Sequence, residues 1–426
     1  MANENDKSTN VEKMLEMLKA AAKPGGPSAL CIKTHLKPAG GFDRLVAPAK
    51  YSDGGKGGCY VFEQRYLPID WKNETAGSSL RTTVLMDSRE SNANRLEEAI
   101  GEHIEHNPKG VFAKMPKIKV TYSEKESYYD YQLPHRAFDA HVRFGIFDNK
   151  DSDKNKYIAA MEASPKKASA LLDISAITVL LGGWDSHGGG AKFPTLVVGE
   201  AYGVLPGNYK SIQKAADEAV RKRHGARIDP FSSNYCKFSD PTEAKADEKK
   251  IYNIKCANGS KEQDESNASK SGIGNIGPEC INFDGVAVEK VVRNSIVQFG
   301  AIRQLHFGKT NTQNEAIRVL LGAMAINAVV YANQETYLRA NAQLLVTKNF
   351  DWECDGYEKQ TFNPLTPEEA DELLEKAYML AENEEAIDWS NVNEMLINGS
   401  PEIKKSKDNA KNAKPAKKNG SNTKNS

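Results

Sequence analysis

The sequence reads as an α+β chain on a ferredoxin-like β-α-β-β-α-β core with large insertions in its connections. Three patterns carry that reading. Residues 29–37 alternate as a half-buried strand does, with Leu30, Ile32 and Leu36 on one side and Lys33, His35 and Lys37 on the other. Residues 88–105 repeat Ala93, Leu96, Ile100 and Ile104 at helical spacing, with Asp87 and Glu90 placed to cap them. Residues 313–331 are apolar nearly all round, which buries a helix on every side, and alternation returns at Leu338, Ala340, Ala342, Leu344 and Val346. Segments 192–204 and 284–305 supply the two middle strands.

Of 426 residues, 27% are charged and 39% hydrophobic, and the net charge is zero, as for a packed core with long surface segments. The longest apolar stretch, 316–331, is interrupted by Arg318 and Asn327 and falls short of the roughly 20 residues of a membrane span. The N-terminus lacks a basic-then-apolar export pattern, so a cytoplasmic protein without membrane contact is expected. The cysteines at 31, 59, 236, 256, 280 and 354 form no Cys-x-x-Cys pair, which leaves zinc ribbons unsupported and favours reduced thiols. His103 and His106 lie one helical turn apart without the acidic partner of a metalloprotease motif; a solvated helix end is expected, with no metal and no cofactor.

Taken in order, residues 1–28 are an N-terminal helix and linker: Thr9 and Glu12 form a capping-box pattern, Val11, Met14, Leu15 and Leu18 follow, and Pro24 to Pro27 stop the helix. The core with its insertions spans 29–350. A glycine-rich loop or finger occupies 40–86, with an extended piece at 59–66, and 106–160 is a finger or web of aromatics among basic residues. Ser164 and Pro165 open a further helix. Residues 221–282 are a polar insertion, thumb-like or mobile, and Thr312 with Glu315 caps the apolar helix. Residues 351–400 are an acidic helical segment capped by Thr366 and Pro367, after which order should fade into a disordered Lys-rich tail, 401–426.

The stretch 171–204 is the densest candidate site. Gly182 and Gly183 end an apolar run, then come Trp184, Asp185, Ser186 and His187, three more glycines and Lys192. Glycines let a backbone approach a ligand closely, and their N–H groups suit phosphate oxygens. The tetrad offers a stacking surface, an acceptor, a hydroxyl and a titratable ring, so an acid–base site and a phosphate cradle both fit. Trp184 stacks a base or anchors the loop in the core, with the anchor preferred. Asn92, Asn94 and Arg95 sit in the first turns of the 88–105 helix, where the positive dipole end suits a phosphate and ordinary surface polarity is the alternative. Arg221, Arg223 and Arg227 form a basic cluster. Gly272, Gly274 and Gly277 satisfy G-x-G-x-x-G, but no buried strand precedes them and Pro278 follows. A dinucleotide site is therefore set aside, and a glycine-rich loop, with Asn275, lying against a backbone remains open. The core topology makes the first and last strands neighbours, placing Lys33, His35 and Lys37 beside Arg339, Asn341 and Gln343 on the open side of the sheet. Such a face suits a polyanion.

Together, DSRESNANRLEEAI, LLDISAITVLLGGWDSHGGGAKFPTLVVGEAYGV, SGIGNIGP and IRQLHFG before an apolar helix resemble the backbone subunit of CRISPR type I-G (formerly I-U) Cascade, in the Cas-seven superfamily of RAMP-type RNA-binding proteins. The resemblance spans about 29–346. It implies an RNA-recognition-like palm with inserted fingers and a thumb, a noncatalytic subunit that polymerises in a helical filament along the guide CRISPR RNA. Such a subunit holds the guide's phosphates and presents its bases to target DNA. Implied partners are other copies of the chain, the large subunit, the guide-end-capping subunit and a recruited nuclease-helicase. The strands lack the paired aromatics of ordinary RNA-recognition domains, so contact through backbone and loops is expected rather than through the open face. Related type III subunits cut target RNA with an aspartate in the loop after the first strand, where Asp43 and Asp53 lie here. A metal-dependent ribonuclease, using Asp43, Asp53 or Asp185 with His187 on bound or complementary RNA, is the alternative.

Overall fold

The computed structural model describes residues 4–52, 58–71, 73–147, 151–186, 190–207, 209–223, 280–356, 359–389 and 394–405. The chain divides into two compact units, Met1–Ala219 with Gly285–Ser400, and Val220–Asp284 with Pro401–Ser426. In the second, the described backbone is largely a two-stranded ribbon, Val220–Arg223 against Cys280–Gly285.

The first unit contains α1 (Glu4–Ala21), β1 (Ala29–Pro38), β2 (Phe62–Asp70), β3 (Asn73–Asp87), α2 (Arg89–His106), β4 (Lys117–Ser123), β5 (Glu126–Tyr129) and α3 (Ala176–Leu181). It continues through β6 (Val197–Val204), β7 (Lys290–Val297), α4 (Asn311–Ala332), β8 (Leu344–Asn349), β9 (Trp352–Asp355), β10 (Gln360–Phe362), α5 (Pro367–Asn383) and β11 (Glu394–Asn398). The main sheet has eight strands in the order β10-β9-β1-β7-β6-β3-β2, with β8 also paired to β1, and every pairing is antiparallel. The central run β8-β1-β7-β6, with α2 connecting β1 to β6 by way of β2 and β3, and α4 connecting β7 to β8, is the mixed α+β arrangement expected for the core.

Register sorts the side chains. Leu30 opposes Val297, and Val297 opposes Val197, while Ile32 opposes Ser295; these residues face the helices, and Leu30, Ile32, Val197 and Val297 join Leu96, Ile100, Leu320 and Leu321 in one core. The intervening residues face the other way. There, Tyr202, Val204 and Val292 form a smaller cluster with Leu67 and Trp71.

Several local expectations shift. The first helix begins at Glu4, so Thr9 lies inside it; a capping pattern is only local, whereas the buried face of Val11, Met14 and Leu18 rewards continuation. Ser164 and Pro165 start a turn, because Ser164 and Lys167 exchange backbone hydrogen bonds around Pro165, and helix appears only at Ser169–Leu172 and in α3. Ser88, not Asp87, caps α2, and Thr310 with Gln313 forms the box that starts α4. Phe193 and Val197 belong to separate strands, interrupted at Pro194, which has no N–H for a ladder. The last core strand is β8 rather than 338–346: Asn341 takes a left-handed conformation (φ 61°), and Arg339 turns back to the Met86 carbonyl at 2.8 Å. Much of the 40–86 finger is a long hairpin, β2 with β3. Order also continues past α5, where β11 pairs in parallel with β4.

The helix α4 is long and apolar enough to cross a membrane, but 89% of its apolar stretch is buried within the protein, as in a core helix. His103 is likewise buried rather than solvated. Its Nε2 lies 3.0 Å from Asp371, which also accepts from Asn327 (2.7 Å) and Tyr331 (2.7 Å), tying α2, α4 and α5 together. Burial raises the Asp371 carboxyl, but the hydrogen bonds from His103, Tyr331 and Asn327 outweigh it and hold the group below the usual carboxylate range. Asp371→Ala should cost about 2 kcal/mol by orphaning these donors. Urea unfolding read by circular dichroism checks this, and an unchanged midpoint would contradict it.

Candidate nucleic-acid interface

The sheet face turned away from α2 and α4 holds the main candidate site. Lys33 opposes Asn294 and His35 opposes Val292 across β1 and β7; Glu200 and Tyr202 continue those rows on β6. Arg65 of β2 places its guanidinium 4.3 Å from the centre of the Tyr202 ring and pairs with Glu63 and Glu200, so this half of the face is neutralised within itself.

The other half is cationic. His35, only 3% exposed, is held edge-on between Trp71 (ring centres 4.7 Å apart) and Phe350 (4.4 Å). Around this trio, Lys348 Nζ lies 4.2 Å from the centre of Phe350, Lys290 Nζ 4.5 Å from Trp71 and Lys33 Nζ 5.9 Å from Phe350. Burial first, then the charges of Lys290, Lys33 and Lys348, push the His35 pKa down from 6.5 to about 3, so the ring is neutral. Among the described residues, its Nε2 has no hydrogen-bond partner, and Lys290 and Lys348 make no ion pair. Three ammonium groups with aromatic faces, converging on a neutral core, suit phosphates and bases together.

His35 was expected to be an outward-facing contact; instead it is packed beneath two rings. The open face also has aromatics after all. Neither comes from a strand: Trp71 stands at the β2–β3 turn, and Phe350 follows β8, with its N–H donating to the Lys33 carbonyl at 3.2 Å. No periodicity in sequence marks them, and the nearest signal is a lysine two places before Phe350.

The start of α2 is committed internally. Asp87, 2% exposed, accepts from Ser91 Oγ (2.6 Å) and Arg95 Nε (3.0 Å), with Arg339 3.7 Å away. Arg95 also donates to the Leu338 carbonyl (3.2 Å), so both arginines, expected as phosphate contacts, brace the 337–339 turn. Asn92 is buried beside Gly199, where a Cβ would come within 2.2 Å of its Oδ1; Asn94 is exposed.

In the glycine-rich stretch, Gly183 pairs with Phe193 and Trp184 with Lys192 in a small ribbon. Trp184 is 62% exposed, which overturns the anchor reading, and Lys192 Nζ lies 5.8 Å from its ring centre. The anchor is Asp185, 1% exposed, which pairs with Arg143 and donates its N–H to the Ala191 carbonyl (2.8 Å). Gly182, with φ 81°, is required by the close approach of the 193–195 backbone, since a Cβ would lie 2.7 Å from Thr195 N. Those two glycines thus pack the chain rather than open it to phosphate. Ser186 is exposed.

His187, Arg227, Gly274, Asn275 and Asp53 fall outside the described residues; Arg221 and Arg223 lie on the Val220–Arg223 strand. Asp43 is exposed in the loop after β1. Among the described residues, no three His, Cys, Asp or Glu side chains are grouped to hold a metal.

Residues 30–205 match the family model described as CRISPR-associated protein GSU0053. The match supports a CRISPR-associated protein. It takes in β1 through β6, and with them Trp71, the start of α2 and the Trp184 ribbon, while Lys290, Lys348 and Phe350 lie beyond it. No curated protein matches the chain.

The cluster also sets a pH dependence. Between pH 6.5 and about 3, the unfolded chain protonates His35 and the folded protein does not. This contribution to stability is therefore present above pH 6.5 and is lost as pH falls towards 3. His35→Phe should give a shallower decline of the urea midpoint with falling pH than the unsubstituted protein, and equal slopes would contradict it.

Proposed function

We propose that this chain is a noncatalytic backbone subunit of a CRISPR type I-G effector (Cascade) complex, polymerising along the guide RNA and holding its phosphates while its bases pair with target DNA. The observation that carries this reading is the cluster of Lys33, Lys290 and Lys348 over Trp71 and Phe350, on a sheet whose first strand begins the CRISPR-family match. A subunit that serves any guide must bind without reading sequence, and lysine–phosphate contacts provide affinity of that kind. The β8-β1-β7-β6 order supports a ferredoxin-like, RNA-recognition-like palm, and the exposed Trp184 with Lys192 offers a second aromatic–cation pair away from the core. A noncatalytic role is favoured because Asp185, the carboxylate of the tetrad, is already bound to Arg143.

Expressed with its partner subunits and a guide, the chain should copurify with RNA of discrete length. Lys290→Ala and Lys348→Ala should each weaken binding to single-stranded RNA and lower the slope of log K against log salt by about 1. Recovery of a nucleic-acid-free monomer would remove the reading, and magnesium-dependent cleavage of bound or complementary RNA would replace it with a ribonuclease.

A further inference from the structure

The aromatic faces on the open side are occupied by the protein's own lysines. Lys348 and Lys33 lie over Phe350, and Lys290 lies over Trp71. An ammonium over a ring at a wet surface is weakly held, whereas a stacked base gains more from the same face and a phosphate gains more from the same ammonium. A nucleotide brings both groups at once. Exchanging ring–lysine contacts for ring–base and lysine–phosphate contacts therefore improves every partner.

The setting permits the exchange. Phe350 is half-buried, follows the end of β8 and is held to β1 by its own N–H, so its ring can tilt without disturbing the ladder. Beneath it, His35 carries a buried Nε2 without a hydrogen-bond partner among the described residues, a polar atom that neither ring satisfies. Lys290 and Lys348 each lie over a different ring of the trio, so two ammonium groups are at hand for phosphates.

We infer that Phe350 is the stacking seat for one unpaired nucleobase of the bound strand, with Lys348 and Lys290 moving from the rings to the flanking phosphates. The inference rests on the proposal that this face binds a nucleic-acid strand. It adds that the base, and not the phosphate alone, is bound.

The test uses the purified full chain and fluorescence anisotropy with a fluorescein-labelled single-stranded RNA of about 20 nucleotides, compared with a strand of the same length made abasic throughout. The unsubstituted protein should bind the intact RNA about tenfold more tightly than the abasic strand. Phe350→Leu, which keeps an apolar side chain and removes the π face, should bring the intact RNA down to the abasic value while leaving abasic binding unchanged. Equal affinity of the unsubstituted protein for both strands would overturn the stacking seat and leave the phosphate-binding proposal standing. Salt-sensitive binding to neither strand would remove both. A base preference that persists in folded Phe350→Leu would move the seat elsewhere and overturn this assignment, and the two-strand comparison on the unsubstituted protein decides the matter should the variant not fold.

Discussion

The helix α4 imposes the constraint on which the rest of the first unit depends. From Ala316 to Val330 every residue is buried, including Arg318 and Asn327, so the helix has no face to give to water. α1, α2 and α5 pack around it, together with β7 of the sheet. The polar groups it carries inward must find partners there. Arg318 donates to the Leu305 carbonyl (2.8 and 3.1 Å), and Asn327 donates to Asp371. With the helices gathered on one side, the opposite face of the sheet keeps its basic and aromatic side chains for another partner.

Arginine and lysine are used differently at most positions, with Arg65 over Tyr202 on the open face and Lys117, buried and donating to the Ala113 carbonyl, as exceptions. Guanidinium forks are used as internal braces: Arg293 holds the Asn333 and Glu335 carbonyls after α4, Arg303 the Ala21 carbonyl, and Arg136 both Glu97 and the Gly182 carbonyl at the end of α3. Burial, then the charge of Arg95, brings the Arg293 pKa down to about 10, only partly opposed by the charges of Asp87 and Glu335. Several planar donors in a fixed fork suit paired carbonyls, and a flexible ammonium does not. The lysines at 33, 290 and 348 instead lie over aromatic rings at the open face. Arg95 and Arg339, expected as phosphate contacts, are engaged as braces here, and positive charge in sequence does not distinguish a brace from a ligand contact.

The candidate site was legible only in part. Lys33 and His35 stood out from the alternation of β1, and the Trp184 segment from its glycines, but their roles did not. Trp184 is exposed and its neighbour Asp185 is the anchor, an inversion that follows from Arg143, 42 positions away in sequence. Trp71 and Phe350 carried no pattern at all, since each lies beyond a strand end: Phe350 reaches His35 once β1 pairs with β8, and Trp71 reaches it from the turn of the β2–β3 hairpin.

By itself, the sequence determined the mixed α+β class and its main elements: alternation marks β1, the spacing of Leu96 and Ile100 marks α2, and an apolar surface on all sides marks α4. These are short-range signals, set by which side chains must leave water within a few turns or strand repeats. Only the tertiary structure decided what the open face contains. Strand register brings His35, Trp71, Phe350 and three lysines from four separated segments into one cluster, and register depends on pairing partners that no local pattern names.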